Sequence, residues 1–463
     1  MKKSKSFLCI ILVILMVCSL FAGCAKADDA AEQPDQNGDA ADIPADGGEK
    51  PAFDKLEISM FNGGYGDLWI EMIALFQEYY PGVEVVSDLS ADNATRVRAR
   101  MLTNDPPDVV VVSGPDFNPF EAAQSGLYRP LTDLFRNGRT ADGRNYADII
   151  NPSILNEGTV QDEVYLPPFG ATYIGWWYDQ TLFDARDWTV PESWDAFTDL
   201  SADIAAAGIS PFVYAGIYPN YLINGYLYAA VAVAGGYEAY EDAFINLKEG
   251  AWSSDAVRTA ITDLYDLVKN GYMYSGVTGI DHTQSQMEYL NGRAAFLPCG
   301  SWLETEMKDS IPDGFQMTFT PPPMADADGN HYLTTYSGLV GIPAKAKNPE
   351  AAEAFLGVMY SVEGQKLIAK YASVPVVTDV SAEELSEYLT PTMLSVMEAA
   401  SRGDIKFVSG NPEMWYADLY VALRENLTNI VLNDITPDEF CANMEAAAKG
   451  VREDDSVAKY YTE

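Results

Sequence analysis

Histidine is almost missing: only His282 and His331 occur in 463 residues, and two histidines so far apart in the chain do not have the spacing of a Cys2His2 zinc site. Cysteine is scarce too. Cys9, Cys18, Cys24, Cys299 and Cys441 show neither the paired spacing of a zinc centre nor the density of a disulfide framework. Basic residues are the third shortage, with 29 Lys plus Arg against 68 Asp plus Glu and a formal net charge of −39. Phosphate backbones are gripped by clustered Lys and Arg that release counterions, which argues against a nucleic-acid partner. Several catalytic motifs are absent as well: there is no Gly-x-Ser-x-Gly elbow, Walker loop or His-Glu-x-x-His, and Gly63-Gly64-Tyr65-Gly66 lacks the spacing of a dinucleotide fingerprint. No cofactor or metal is implied. Apolar residues are plentiful, at 48% hydrophobic and 12% aromatic, enough for two or three domains with a large core.

The N-terminus carries an address. Lys2, Lys3 and Lys5 precede a run from Phe7 to Phe21 in which only Ser19 is polar, the layout of a secretory signal. As a helix the run covers about 22 Å, short of the roughly 30 Å hydrocarbon core, so it reads as a signal and not a span. Phe21-Ala22-Gly23-Cys24 then resembles the lipobox of bacterial lipoproteins, although that family prefers Leu where Phe21 stands. The resemblance implies a signal peptide over 1–23, lipidation of Cys24 and anchorage on the extracellular face of the cell membrane; plain secretion is the other reading. Residues 24–52 are acidic, with Ile43 as the one large apolar side chain after Cys24. Such a segment cannot bury enough surface to fold and serves as a tether with a reach of about 30 Å.

Folding is expected from Phe53. Leu56 to Phe61 alternates weakly and runs into the glycine loop Asn62 to Gly66, after which Trp69, Met72, Ile73, Phe76 and Tyr79 recur at helical spacing. Pro81-Gly82 stops that helix, and Val83 to Val86 offers a second strand. Arg96, Arg98 and Arg100 lie in a further helical stretch. Pro106-Pro107-Asp108 then introduces Val109 to Val112, a β-branched run expected of a buried parallel strand. Short apolar strands alternating with helices give an α/β sheet of the doubly wound kind. Prolines mark three expected crossings between bodies: Pro167-Pro168 leading into Tyr173 to Tyr178, Thr318 to Pro323, and Ser373-Val374-Pro375.

The order of these pieces resembles the family-1 extracellular solute-binding proteins of ABC importers, the maltose-binding protein family. The resemblance rests on Phe76 to Val85, Pro107 to Val110, Gln124 to Leu127, Leu166-Pro167 with Trp177 to Phe183, Asn291 to Phe296 with Gly300-Ser301-Trp302, and Ile342 to Ala352. Asp179 and Phe296 depart from it, where the family often has Asn and Met. It implies an α/β, two-lobe periplasmic-binding-protein-like fold (type II), each lobe a sheet flanked by helices, joined by hinge crossings. Lobe one is expected at 53–171 plus 322–373, and lobe two at 172–321 plus 374–463. The implied function is capture of a carbohydrate in the interlobe cleft and its delivery to the transmembrane permease subunits of an importer, by a monomer that catalyses nothing.

A sugar offers hydroxyls around its rim and apolar C–H faces, so its cleft needs aromatic planes and short polar groups. The resemblance assigns ligand contacts to Asn62 and Tyr65 in the glycine loop, and to Ser113 and Asp116 after the valine strand, where Val112 replaces the family's aromatic. It adds Thr172 and Tyr173 at the hinge, Tyr218 and Asn220 in Tyr218-Pro219-Asn220-Tyr221, Trp302 as a stacking indole, and Trp415 as a second one. Plainer roles compete: Asp116 suits a helix cap, Trp415 suits a core, and Trp69, Trp188, Trp194 and Trp252 are expected inside. A rival reading is a glycoside hydrolase built on Glu304 and Glu306, or on Asp162 and Glu163, but so acidic a chain yields such pairs by chance. A surface binder or sensor would keep the cleft and lose the permease.

Overall fold

Alternation along Lys55–Phe61 (β1) turns Leu56, Ile58 and Met60 inward, and all three are buried. The computed structural model describes residues 53–460 apart from 114–116, 151, 372, 456 and 458. The expected signal, the acidic tether, Cys24 and Asp116 lie outside the described residues. Glu84–Ser90 (β2) and Val109–Val111 (β3) flank β1 in parallel, in the order β2-β1-β3. The helix Leu68–Tyr79 packs Leu68, Trp69, Met72 and Phe76 inward, and the Trp69 indole donates to the Phe61 carbonyl at 2.8 Å. All three β3 valines are buried, as a continuous apolar run requires. Just before them the buried Asp108 carboxylate accepts from the Glu57 N–H at 2.9 Å, and from the Asn348 N–H at 2.7 Å and side-chain amide at 3.0 Å. Two motif pieces far apart in the chain, Pro107-Asp108 and Asn348-Pro349, thus form one device that ties the first sheet to the helix Pro349–Met359.

A small hairpin, Thr159–Val160 (β4) with Glu163–Val164 (β5), precedes the long strand Pro168–Asp179 (β6). Around β6 gather Ser210–Phe212 (β7), Ala294–Gly300 (β8), Met317–Thr320 (β9), His331–Leu339 (β10), Val374–Pro375 (β11) and Ile405–Ser409 (β12). The sheet order is β12-β10-β6-β8-β7, with β9 and β11 also pairing β6. Trp176 and Trp177 point to opposite faces of β6 and both are fully buried. Each indole finds a carbonyl, Gly225 at 2.7 Å and Cys299 at 3.2 Å, as buried tryptophan requires.

The two sheets meet just past β10, at an isolated bridge between Val110 and Gly341. Residues 168–172 of β6 run beside β11 and beside residues 336–339 of β10, while residues 174–179 pair with β8 and β9. Residues 331–335 of β10 pair with β12, and just past β10 Gly341 exchanges two 2.9 Å hydrogen bonds with Val110 of β3. The second sheet thus touches the first just past β10, beyond the turn at 326–330, whereas Thr318–Thr320 lies beside Trp176–Tyr178 as β9. The helices Asp255–Lys269, Ala417–Val431 and Pro437–Glu453 pack on one another at the second sheet's side. Among the described residues no helix is long and apolar enough to cross a membrane.

Candidate ligand-binding site

Strand β8 ends at Gly300, and the next two residues fold the Trp302 indole back over the strand end. A Cβ on Gly300 would run into that ring, so glycine is what lets the indole lie there. Facing it is the Tyr221 ring, at 6.4 Å and 61°. Tyr221 stacks on His282 at 4.6 Å and 4°, and Tyr218 stands 6.5 Å away at 67°. Tyr218 is 52% exposed, a large share for an aromatic ring backed by others. Behind this wall the Glu306 carboxylate meets His282 Nε2 at 2.9 Å and accepts from Gln286 at 2.7 Å. Burial works against its charge, yet these two partners hold it below the usual carboxylate range.

Beside Tyr218 lies a second acid. Glu413, in the short helix Pro412–Trp415, accepts from the Tyr336 hydroxyl at 3.0 Å and from Asn224 Nδ2 at 3.4 Å, and stands 3.6 Å from Arg424. The Tyr218 hydroxyl faces the same carboxylate. Burial raises the Glu413 carboxyl above its ordinary value, against the pull of Tyr336, Asn224 and Arg424. Gly410 leaves room for the Tyr336 ring, which a Cβ would strike. Several polar atoms around the wall have no partner: both ends of the Asn220 amide, Asn224 Oδ1 and Ser301 Oγ, all buried. Buried polar groups in folded proteins are nearly always paired, and these four atoms beside the wall are not.

A model of the bacterial extracellular solute-binding proteins matches residues 62–366. The chain belongs to that family. The diacetylchitobiose binding protein NgcE of Streptomyces coelicolor is 27% identical over 419 residues, covering 87% of this chain and 86% of the relative. Among solved structures, apo RafE from Streptococcus pneumoniae aligns with a TM-score of 0.71 at 20% identity, over 87% of this chain and 99% of that one. A chitin oligosaccharide binding protein aligns with a TM-score of 0.64 at 22% identity, over 86% and 98% of the two chains. These likenesses show the α/β fold of such receptors.

Within this solute-binding fold the expected contacts divide. Tyr218, Asn220 and Trp302 share the wall. Thr172 reaches it at one remove, its hydroxyl donating to the Tyr336 carbonyl at 2.9 Å. Tyr173 goes to the core instead, stacked on Phe407 at 5.2 Å and 26°, because neighbours on a strand point to opposite faces. Asn62 and Tyr65 stand at the end of β1. Asn62 Oδ1 is buried without a partner, while the Tyr65 ring packs among Phe61, Trp69 and Phe169 and burial pushes its hydroxyl up to about 12. Ser113 is exposed just past β3. The Trp415 ring stacks on Tyr460 at 4.7 Å and 12° and meets Phe120 edge-on at 5.8 Å. It lines an open cavity of about 830 Å³ with Phe117, Asn118, Glu121 and Met414, apart from the Tyr218 wall.

Sequence reasoning missed Tyr221, Asn224, Tyr336 and Glu413. Tyr221 carried a signal in its spacing from Tyr218; the others are joined only by the fold. It also missed Glu157, at the strand crossing, whose carbonyl accepts from Asn411 at 3.1 Å. Burial pushes its carboxyl up to about 7; the Ser337 and Thr335 hydroxyls approach it and partly offset that push, without closing hydrogen bonds to it. Three of the four carboxylates nominated for hydrolysis have partners within the protein: Glu306 with His282 and Gln286, Glu304 with Thr390, and Glu163 with Thr132.

Proposed function

We propose that this protein is the carbohydrate receptor of an ABC importer. The observation that carries the reading is the partly exposed wall of Tyr218, Tyr221 and Trp302 set beside the unpartnered polar atoms of Asn220, Asn224 and Ser301. Flat rings match the C–H faces of a pyranose, and the orphaned atoms match its polar rim. Relatives named for diacetylchitobiose and chitin oligosaccharide binding support the same class of ligand. The charge of −39 favours a neutral solute over an anionic one. In this reading two lobes, divided near the β6 and β10 strands, close on the sugar because only the closed state contacts it from both sides. Lipid on Cys24 holds the receptor at the extracellular face of the membrane, and the loaded form docks on the permease without changing its cargo.

Calorimetry with mono-, di- and oligosaccharides tests the proposal. Saturable binding of at least one neutral glycan is the expected result, with the sugar recovered intact. Absence of binding across the panel at millimolar concentration, or a cleaved product, would overturn it.

A further inference from the structure

Beside the wall, Glu413 and Arg424 form an ion pair that does not close. Arg424, in the helix Ala417–Val431, holds Nη1 3.6 Å from Glu413 Oε1, a separation beyond hydrogen-bond length. The filled oxygen is Oε2, which accepts from Tyr336 and Asn224. Among the described residues Oε1 accepts no hydrogen bond and the Arg424 guanidinium donates none. The Tyr218 hydroxyl approaches the carboxylate without closing one either. Both charged side chains reach solvent, Arg424 at 28% and Glu413 at 18% exposure, and the half-exposed Tyr218 ring stands next to them. An acceptor and a fork of donors are thus held a fixed distance apart at the edge of the wall, each with capacity left over.

We infer that Glu413 and Arg424 together read one free hydroxyl of the sugar, which donates to Glu413 Oε1 and accepts from the Arg424 guanidinium. This rests on the carbohydrate-receptor reading. The gap sets the chemistry. An oxygen about 2.8 Å from each atom bridges a 3.6 Å separation with both contacts at hydrogen-bond length. A hydroxyl donates and accepts at a single atom, and a water can hold the same place until the sugar displaces it. Other groups fail the pair on one side. An ether or carbonyl oxygen only accepts and gives Glu413 nothing. An ammonium only donates and meets Arg424 as a like charge, while a carboxylate only accepts and meets Glu413 as one. A trans acetamido group does both, but its N–H and carbonyl point in opposite directions, so one such group does not serve both members of the pair. The pair therefore selects for a hydroxyl at the ring position it faces, whatever the rest of the sugar carries.

The test is calorimetry with cellobiose, N,N′-diacetylchitobiose and raffinose, each of which carries free ring hydroxyls, on the wild-type chain, Glu413→Gln, Arg424→Met and the double variant, beside thermal melts without sugar. Each single variant is expected to weaken the tightest-bound of the three by about tenfold or more. The double variant should lose scarcely more than the worse single one, because both changes remove the same hydroxyl contact. Arg424→Lys, which keeps the cation without the planar fork, should fall between the wild type and Arg424→Met. In the melts the two changes should simply add, since a pair left open contributes little to stability. Unchanged affinity in a folded variant, additive losses in binding, or the same non-additivity in the melts overturns the assignment and leaves the carbohydrate receptor standing. If none of the three sugars binds, the tightest-bound glycan of the wider panel takes their place, and failure of every sugar removes both.

Discussion

Trp302 was legible because its neighbours are small: Gly300 and Ser301 announce a side chain folding back over a strand end. If the indole is a stacking surface, Trp302→Ala should weaken sugar binding by about 1–3 kcal/mol, with the melting temperature nearly unchanged because the ring is only partly buried. Calorimetry decides. Glu413 and Tyr336 were not legible, since the bond that makes them a unit spans 77 residues of chain. Glu157 was hidden for the same reason, and its burial has a measurable consequence. Its carboxyl is raised from an ordinary 4.5 to about 7, so the folded state holds the proton more tightly than the unfolded one. That contribution to stability is complete below about pH 4.5 and is lost as pH rises through about 7, on the order of 3 kcal/mol in all. Thermal melts of Glu157→Gln should therefore show a flatter decline between about pH 5 and about pH 8 than the wild type. Parallel curves would remove Glu157 as the source.

At the scale of elements, local patterns were enough for β1, the helix after it, β2 and β3, because alternation and helical spacing are written within a dozen residues. The partners of β6 were not, since β8, β9, β10 and β11 arrive from distances that no local pattern encodes. The aromatic run Tyr173–Tyr178 marked β6 as important and left its many-sided pairing unread. The end of β8 offers a sharper test. Gly300→Ala places a methyl where the Trp302 ring lies, so the ring must leave or the strand end must shift. Binding should fall about as far as in Trp302→Ala, and the double variant should lose little more, because both changes remove the same surface. Additive losses would mean that the strand end contacts the ligand independently of the indole.

For the molecule as a whole, the family signature was readable because its pieces serve packing shared by the whole fold, as Asp108 with Asn348 illustrates. The expected crossing at Thr318 to Pro323 falls partly on β9, which pairs with β6 in the second sheet. Closure around a sugar should appear in small-angle scattering as a fall in radius of gyration at saturation. An unchanged profile with tight binding would show that the halves are already set before the ligand arrives. If the proposed lobes hinge beside them, the bonded pair of β6 and β10 would shape that motion. Two ribbons stitched edge to edge bend together but do not slide past each other, like the spine of a book whose covers swing and never slip. In the proposed receptor a misfitting guest would then gain nothing from sideways give at the joint, and discrimination would fall to the inner faces of the covers.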